Sequence, residues 1–146
     1  MKFENYMTLE FPSKSCNEAF ARSAVACFAA QLDPTLEEMG DIRTAVSEAV
    51  TNCIVHAYRD APRSSPGNIY ISARLYDTRE VTVEISDNGC GIEDVALART
   101  PAFTTGAPDE RCGMGFLVME SFMDSLSVRS RVGRGTIVFM RKILKP

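Results

Sequence analysis

The chain has a single histidine, and none of its five cysteines forms a C-x-x-C pair. Zinc sites are built from clustered His and Cys ligands, so there is little basis for one here. The cysteine count is also odd. Cys16, Cys27, Cys53, Cys90 and Cys112 read as reduced thiols rather than a disulfide frame. A basic excess is missing too: 16 Lys and Arg against 19 Asp and Glu leave a net charge of −3. That argues against a nucleic-acid binder, although it leaves room for a small basic groove that receives phosphates. No stretch approaches the ~18 apolar residues of a membrane span, and the N-terminus lacks a basic-then-apolar signal layout. The expectation is a cytoplasmic protein with neither a membrane nor a nucleic acid as partner.

What is present fits a soluble globular protein: 146 residues, 45% hydrophobic and 24% charged. That length has room for one domain, residues 1–146, with a substantial core. Met7, Leu9 and Phe11 alternate with Thr8 and Glu10, which predicts a short strand stopping at Pro12. Ser15-Cys-Asn-Glu18 has the spacing of a capping box, with Phe20, Ala24, Phe28 and Leu32 following at helical spacing up to Asp33-Pro34. Thr35-Leu-Glu-Glu38 caps a second, longer helix, expected to run to about Tyr58. Two alternating runs, Ile69–Tyr76 and Val81–Ile85, predict an antiparallel pair. A lid at about 92–112 is irregular apart from a short helix near Asp94–Arg99, and a connection that long is usually functional or mobile. A helix over Met114–Met123 and a hairpin of Leu126–Ser130 with Thr136–Arg141 complete the order. The expected fold class is α+β, a mostly antiparallel sheet covered on one face by helices.

Three short segments carry chemistry. On the second helix, Ile42, Val46, Ala49, Val50, Cys53, Ile54 and Ala57 fall in one arc that should pack on the sheet. Glu48 and Asn52, four apart, sit one above the other outside it. Such a pair is either a solvated helix face, or an Asn52 oxygen on magnesium with Glu48 as general base. Asp87-Asn-Gly89-Cys-Gly91 follows a strand-like run. Asp87 either begins a turn or accepts a hydrogen bond from the exocyclic amine of adenine, and Gly89 and Gly91 let the chain curve beneath the base. Gly113-Met114-Gly115 precedes an apolar helix, whose unpaired N–H groups and dipole favour a phosphate. Thr136 either serves only as a β-former or joins Asp87 around the base. Thr104, Thr105 and Arg111 flank the lid, where hydroxyls and a planar guanidinium can reach phosphate oxygens. Together these segments read as an ATP site.

Glu-x-x-x-Asn on a helix, Asp-x-Gly-x-Gly after a strand and Gly-x-Gly before a helix resemble the GHKL ATP-binding superfamily, whose fold is a two-layer α/β sandwich. The likeness narrows to the anti-sigma factor kinases of spore-forming bacteria. It is carried by Leu9-Glu-Phe11, Asn17–Arg22, Gln31–Pro34, Val46–Asn52, Phe103-Thr-Thr105 and Gly113–Phe116. The resemblance implies a homodimer that binds a sporulation sigma factor. It also implies an ATP- and Mg2+-dependent kinase that phosphorylates a serine of an anti-anti-sigma antagonist. In it Glu48 would be the base, Asn52 the magnesium ligand and Asp87 the adenine contact. Thr104, Thr105, Arg111 and the amides around Gly113-Met114-Gly115 would serve the phosphates of ATP or ADP. Glu18 and Arg22 would lie on the surface shared by sigma factor and antagonist. Two residues depart from the pattern: Gly106 stands where lysine is usual, and Cys112 where serine is commoner. Gly106 keeps open a module that holds ATP and sequesters a sigma factor without phosphate transfer; a related stress-response switch kinase would share the chemistry with other partners.

Overall fold

The computed structural model describes residues 2–100 and 115–146. Strand β1 (Phe3–Pro12) leads into helix α1 (Cys16–Ala29), a 3-10 turn at Ala30–Leu32 and helix α2 (Leu36–Asn52), which ends in a π-helical turn at Cys53–Ala57. Then come β2 (Asn68–Tyr76), β3 (Glu80–Asp87), the short α3 (Val95–Ala98), α4 (Gly115–Phe122), β4 (Ser125–Arg131) and β5 (Gly135–Ile143). The strands form one sheet in the order β1-β2-β3-β5-β4, and each neighbouring pair is antiparallel. This is the α+β architecture expected above.

Alternation decides which side chains face the helices. Ile71, Ile85 and Val138 lie in register across three strands and all are buried, as are Ala73, Val83 and Met140 one step along. Against them pack Ile42, Val46, Ala49 and Val50 of α2, with Val25 of α1 and Met119 of α4 alongside. Helix α2 is central, touching both α1 and α4. Full burial of a Val or Ile side chain is worth about 1.5–3 kcal/mol, so this shared layer dominates the stability of the fold. On the opposite face of the sheet Glu84, Ile137 and Phe139 are exposed.

The two helix starts differ. Thr35 is extended, its hydroxyl accepts from the Glu38 amide at 3.1 Å, and Glu38 Oε1 accepts from the Thr35 amide at 2.9 Å, so this capping box forms. Glu38 Oε2 also accepts from the Lys145 amide at 2.8 Å. Burial opposes ionisation of Glu38, but these donors outweigh it and hold the carboxyl below its ordinary value. The capping box expected at Ser15 is absent. Ser15 is already helical (φ −58, ψ −30), and a side chain can reach back to cap only from a non-helical residue. Glu18 instead accepts from Arg22 Nη1 at 2.8 and 2.9 Å. Strand β1 also starts earlier than its alternation suggested, because backbone pairing with β2 does not need apolar side chains.

Candidate functional site: a cavity between the end of α2 and the end of β3

Val81, Val83, Ile85 and Asp87 occupy the core-facing row of β3, so the carboxylate ends a run of buried apolar side chains. Asp87 is 7% exposed. Its Oδ1 accepts from the Gly89 amide at 2.9 Å and the Thr136 amide at 3.2 Å, and its Oδ2 accepts from the Cys53 thiol at 3.4 Å. Burial pushes the Asp87 carboxyl above its ordinary value, and the three donors offset only part of that effect.

The loop after Asp87 is held from both sides. Directly beyond Asn52 the helix widens into its π-helical turn, which presents the Ala57 carbonyl to the Cys90 amide at 2.8 Å. Gly89 lies so close to that carbonyl that a Cβ would strike it. Gly91 has φ +77, and a Cβ there would meet the Arg131 carbonyl. The Tyr58 hydroxyl donates to the Asn68 carbonyl at 2.5 Å and accepts from the Asn88 amide at 2.6 Å. A single phenol thus ties the end of the π-helical turn to the beginnings of β2 and of the glycine loop.

At the other end, Gly115 opens α4 directly against α2. A Cβ built on it would lie 3.1 Å from both amide atoms of Asn52 and 3.4 Å from Glu48 Oε2. Neither of those two side chains hydrogen-bonds another described residue. No cluster of three or more His, Cys, Asp or Glu suited to a metal occurs among the described residues. Oxygen donors from one helix, beside a glycine that leaves space, suit magnesium, which takes few protein ligands and completes its shell with phosphates and water.

Between these ends lies a cavity of about 930 Å³. Asn52, Asp87, Gly91, Gly115 and Thr136 line it, so residues far apart in the sequence share one space. Glu48 and Gly89 are not among its lining residues: Glu48 stands beside Gly115, and Gly89 backs the loop against Ala57. Glu18 and Arg22 do not line the cavity; their ion pair lies on α1 near the half-exposed Phe20. Thr104, Thr105, Arg111, Gly113 and Met114 lie outside the described residues, as does most of the expected lid.

Several contributors were not singled out from the sequence. Ile92, Leu97, Phe116 and Val132 give the cavity apolar walls suited to a flat ring. Ser130 Oγ lies 2.8 Å from Thr136 Oγ1 and accepts from the Ile92 amide at 2.7 Å, joining β4 to the start of the lid. Cys53 was assigned to the core arc, and its contact with Asp87 was not foreseen. A strand-end carboxylate in a buried row, which must find donors, was the available signal.

A buried carboxylate, a glycine loop and Asn52 on a helix border one cavity over an antiparallel sheet, a layout that fits a nucleotide-binding domain of the histidine kinase-like class. Residues 11–142 match the family model described as the histidine kinase-like ATPase domain. The anti-sigma F factor of Caldanaerobacter subterraneus subsp. tengcongensis is 56% identical over 144 residues, covering 99% of this chain and 97% of the relative. That of Clostridium botulinum (strain Eklund 17B / Type B) is 55% identical over 140 residues, covering 96% and 95%. Among solved structures, the RsbU and RsbW domains of Rv1364c from Mycobacterium tuberculosis superpose with a TM-score of 0.69 at 18% identity, over 98% of this chain and 34% of that one. That last likeness is one of fold. The chain belongs to the anti-sigma F factor family of histidine kinase-like ATPase domains. No described helix is long and apolar enough to cross a membrane.

Proposed function

We propose that this chain is a cytoplasmic, ATP-dependent protein serine kinase. It would sequester a sporulation sigma factor as a homodimer and phosphorylate a serine of an anti-anti-sigma antagonist. One observation carries the reading: a single cavity is lined by the buried carboxylate of Asp87 and by Asn52 and Gly115, with Glu48 standing beside Gly115. The relatives' naming as anti-sigma F factors supports the choice of partners.

Asp87 accepts the exocyclic amine of adenine. An ionised carboxylate only accepts, so it favours an amine and repels the carbonyl that guanine has at that position. Gly91 and Thr136 lie beside the base. Asn52 would hold magnesium through its side-chain oxygen, and the ion would supply charge neutralisation for the triphosphate. The first amides of α4, with Gly113, Met114, Thr104, Thr105 and Arg111, serve the phosphates of ATP and ADP. Glu48 hydrogen-bonds the acceptor serine and takes its proton as the oxygen attacks the γ-phosphorus and ADP departs. Glu18 and Arg22 present a charged pair on α1 to the partner proteins.

The test is incubation of the purified chain with its cognate antagonist and magnesium ATP, followed by mass spectrometry. Phosphoserine on the antagonist is the expected outcome. Its absence, with ADP still bound, would instead favour a sequestering module that holds nucleotide without phosphate transfer.

A further inference from the structure

Cys53 is 4% exposed, follows Asn52 directly and has no role in the chemistry proposed above. Its thiol nevertheless meets Asp87 Oδ2 at 3.4 Å across 34 residues of sequence. The carboxylate's other oxygen already accepts two amides, from Gly89 and Thr136, which use both of its lone pairs. Oδ2 has one lone pair engaged by the thiol and one left. We propose that Cys53 is a positioning residue for base selection, its thiol orienting Asp87 Oδ2 so that the remaining lone pair meets the exocyclic amine of adenine. The inference rests on the adenine role of Asp87 argued above.

The arrangement has a physical logic. A thiol is a weak donor, so it steers the oxygen without competing strongly for it. With alanine at position 53, Oδ2 would lose that donor and the carboxylate would no longer be held toward the amine. Because Cys53 is adjacent to Asn52 on one helix, the metal side and the base side of the cavity share a rigid support.

The experiment compares ADP with inosine diphosphate, which has a carbonyl where adenine has the amine. Affinities for both are measured by calorimetry on the full chain in wild type, Cys53→Ala, Cys53→Ser and Asp87→Asn, with the melting temperature of each. Loss of one modest hydrogen bond predicts that Cys53→Ala reduces the preference for ADP by about 3–10-fold. Cys53→Ser, which restores a donor, should return it to within about twofold of wild type. An unchanged preference in Cys53→Ala, with both affinities lowered in proportion to a lower melting temperature or not lowered at all, would overturn the inference, provided Asp87→Asn has lost the preference. If Asp87→Asn keeps it, the adenine role itself fails and the positioning role falls with it.

Discussion

Asp87 is buried and holds three donors, from the π-helical turn, the glycine loop and β5, two of them backbone amides. Beside Gly115, by contrast, Glu48 and Asn52 are half-exposed and make no hydrogen bond to another described residue. Under the proposed function the contrast matches what each end would receive. A purine is flat, mostly apolar and brings one decisive donor, so a carboxylate locked in advance lowers the ordering cost of recognising it. A metal-bound triphosphate brings charge and many acceptors, and side chains already committed to one another could not meet it. On that proposal, a preorganised end and an uncommitted end would divide specificity from catalysis.

The strongest way to break this division is Glu48→Gln. A positioned general base contributes about 10²–10⁴-fold, so phosphorylation of the antagonist should fall by at least ~100-fold. ADP affinity should stay within about threefold, because no base contact is touched. A kinase assay paired with calorimetry checks both, and full activity would remove Glu48 from the chemistry.

Asp87→Asn attacks the other end. It should weaken ADP binding by more than ~10-fold, the cost of removing a charged acceptor. The same substitution should raise the melting temperature of the nucleotide-free protein. Burial raises the carboxyl's pKa above its unfolded value, so the folded state holds more protons than the unfolded state between the two. Stability therefore falls as pH rises through that window, and ionised Asp87 is a burden at neutral pH that asparagine removes. Affinity runs the opposite way: ADP binding to wild type should weaken as pH falls through the raised pKa, while the asparagine variant shows no such trend. Calorimetry across pH 4–7 tests it.

Gly115→Ala sharpens the comparison more gently. The new methyl would press on Asn52 at 3.1 Å, closer than ordinary contact, and Asn52 would have to give way. Magnesium-dependent ATP binding should weaken by about 3–10-fold, with metal-free ADP binding less affected. Equal losses with and without magnesium would argue against a metal role for Asn52.

The smallest effect lies at the helix starts. Thr35→Ala should cost about 1 kcal/mol in urea unfolding, while Ser15→Ala should change little, since its hydroxyl caps nothing.

Much of the fold was legible in the chain. Thr35 and Glu38 announced α2, the apolar arc from Ile42 to Val50 identified its buried face, and alternation identified β2, β3 and β5. Period and capping are local properties, so short windows carry them. At Ser15 the spacing matches a capping box but the backbone does not adopt it. A regular helix to Tyr58 and one that widens at Cys53 look alike in sequence, because one extra residue in a turn leaves no mark on a short apolar pattern.

Within the site, the three motifs singled out Asn52, Asp87, Gly91 and Gly115, which do line one cavity. The second layer was hidden. Cys53 reads as one more apolar residue of the arc, and Tyr58 as the end of a helix, until the pairing of strands puts Asp87 and Asn88 beside them. The amino-acid order alone determined the elements, their buried faces and the residue types that suit a nucleotide. Only the tertiary structure decided which donors hold the carboxylate and where α4 begins against α2. Those contacts join residues dozens of positions apart, and strand register and helix packing, which no local pattern encodes, set their distances.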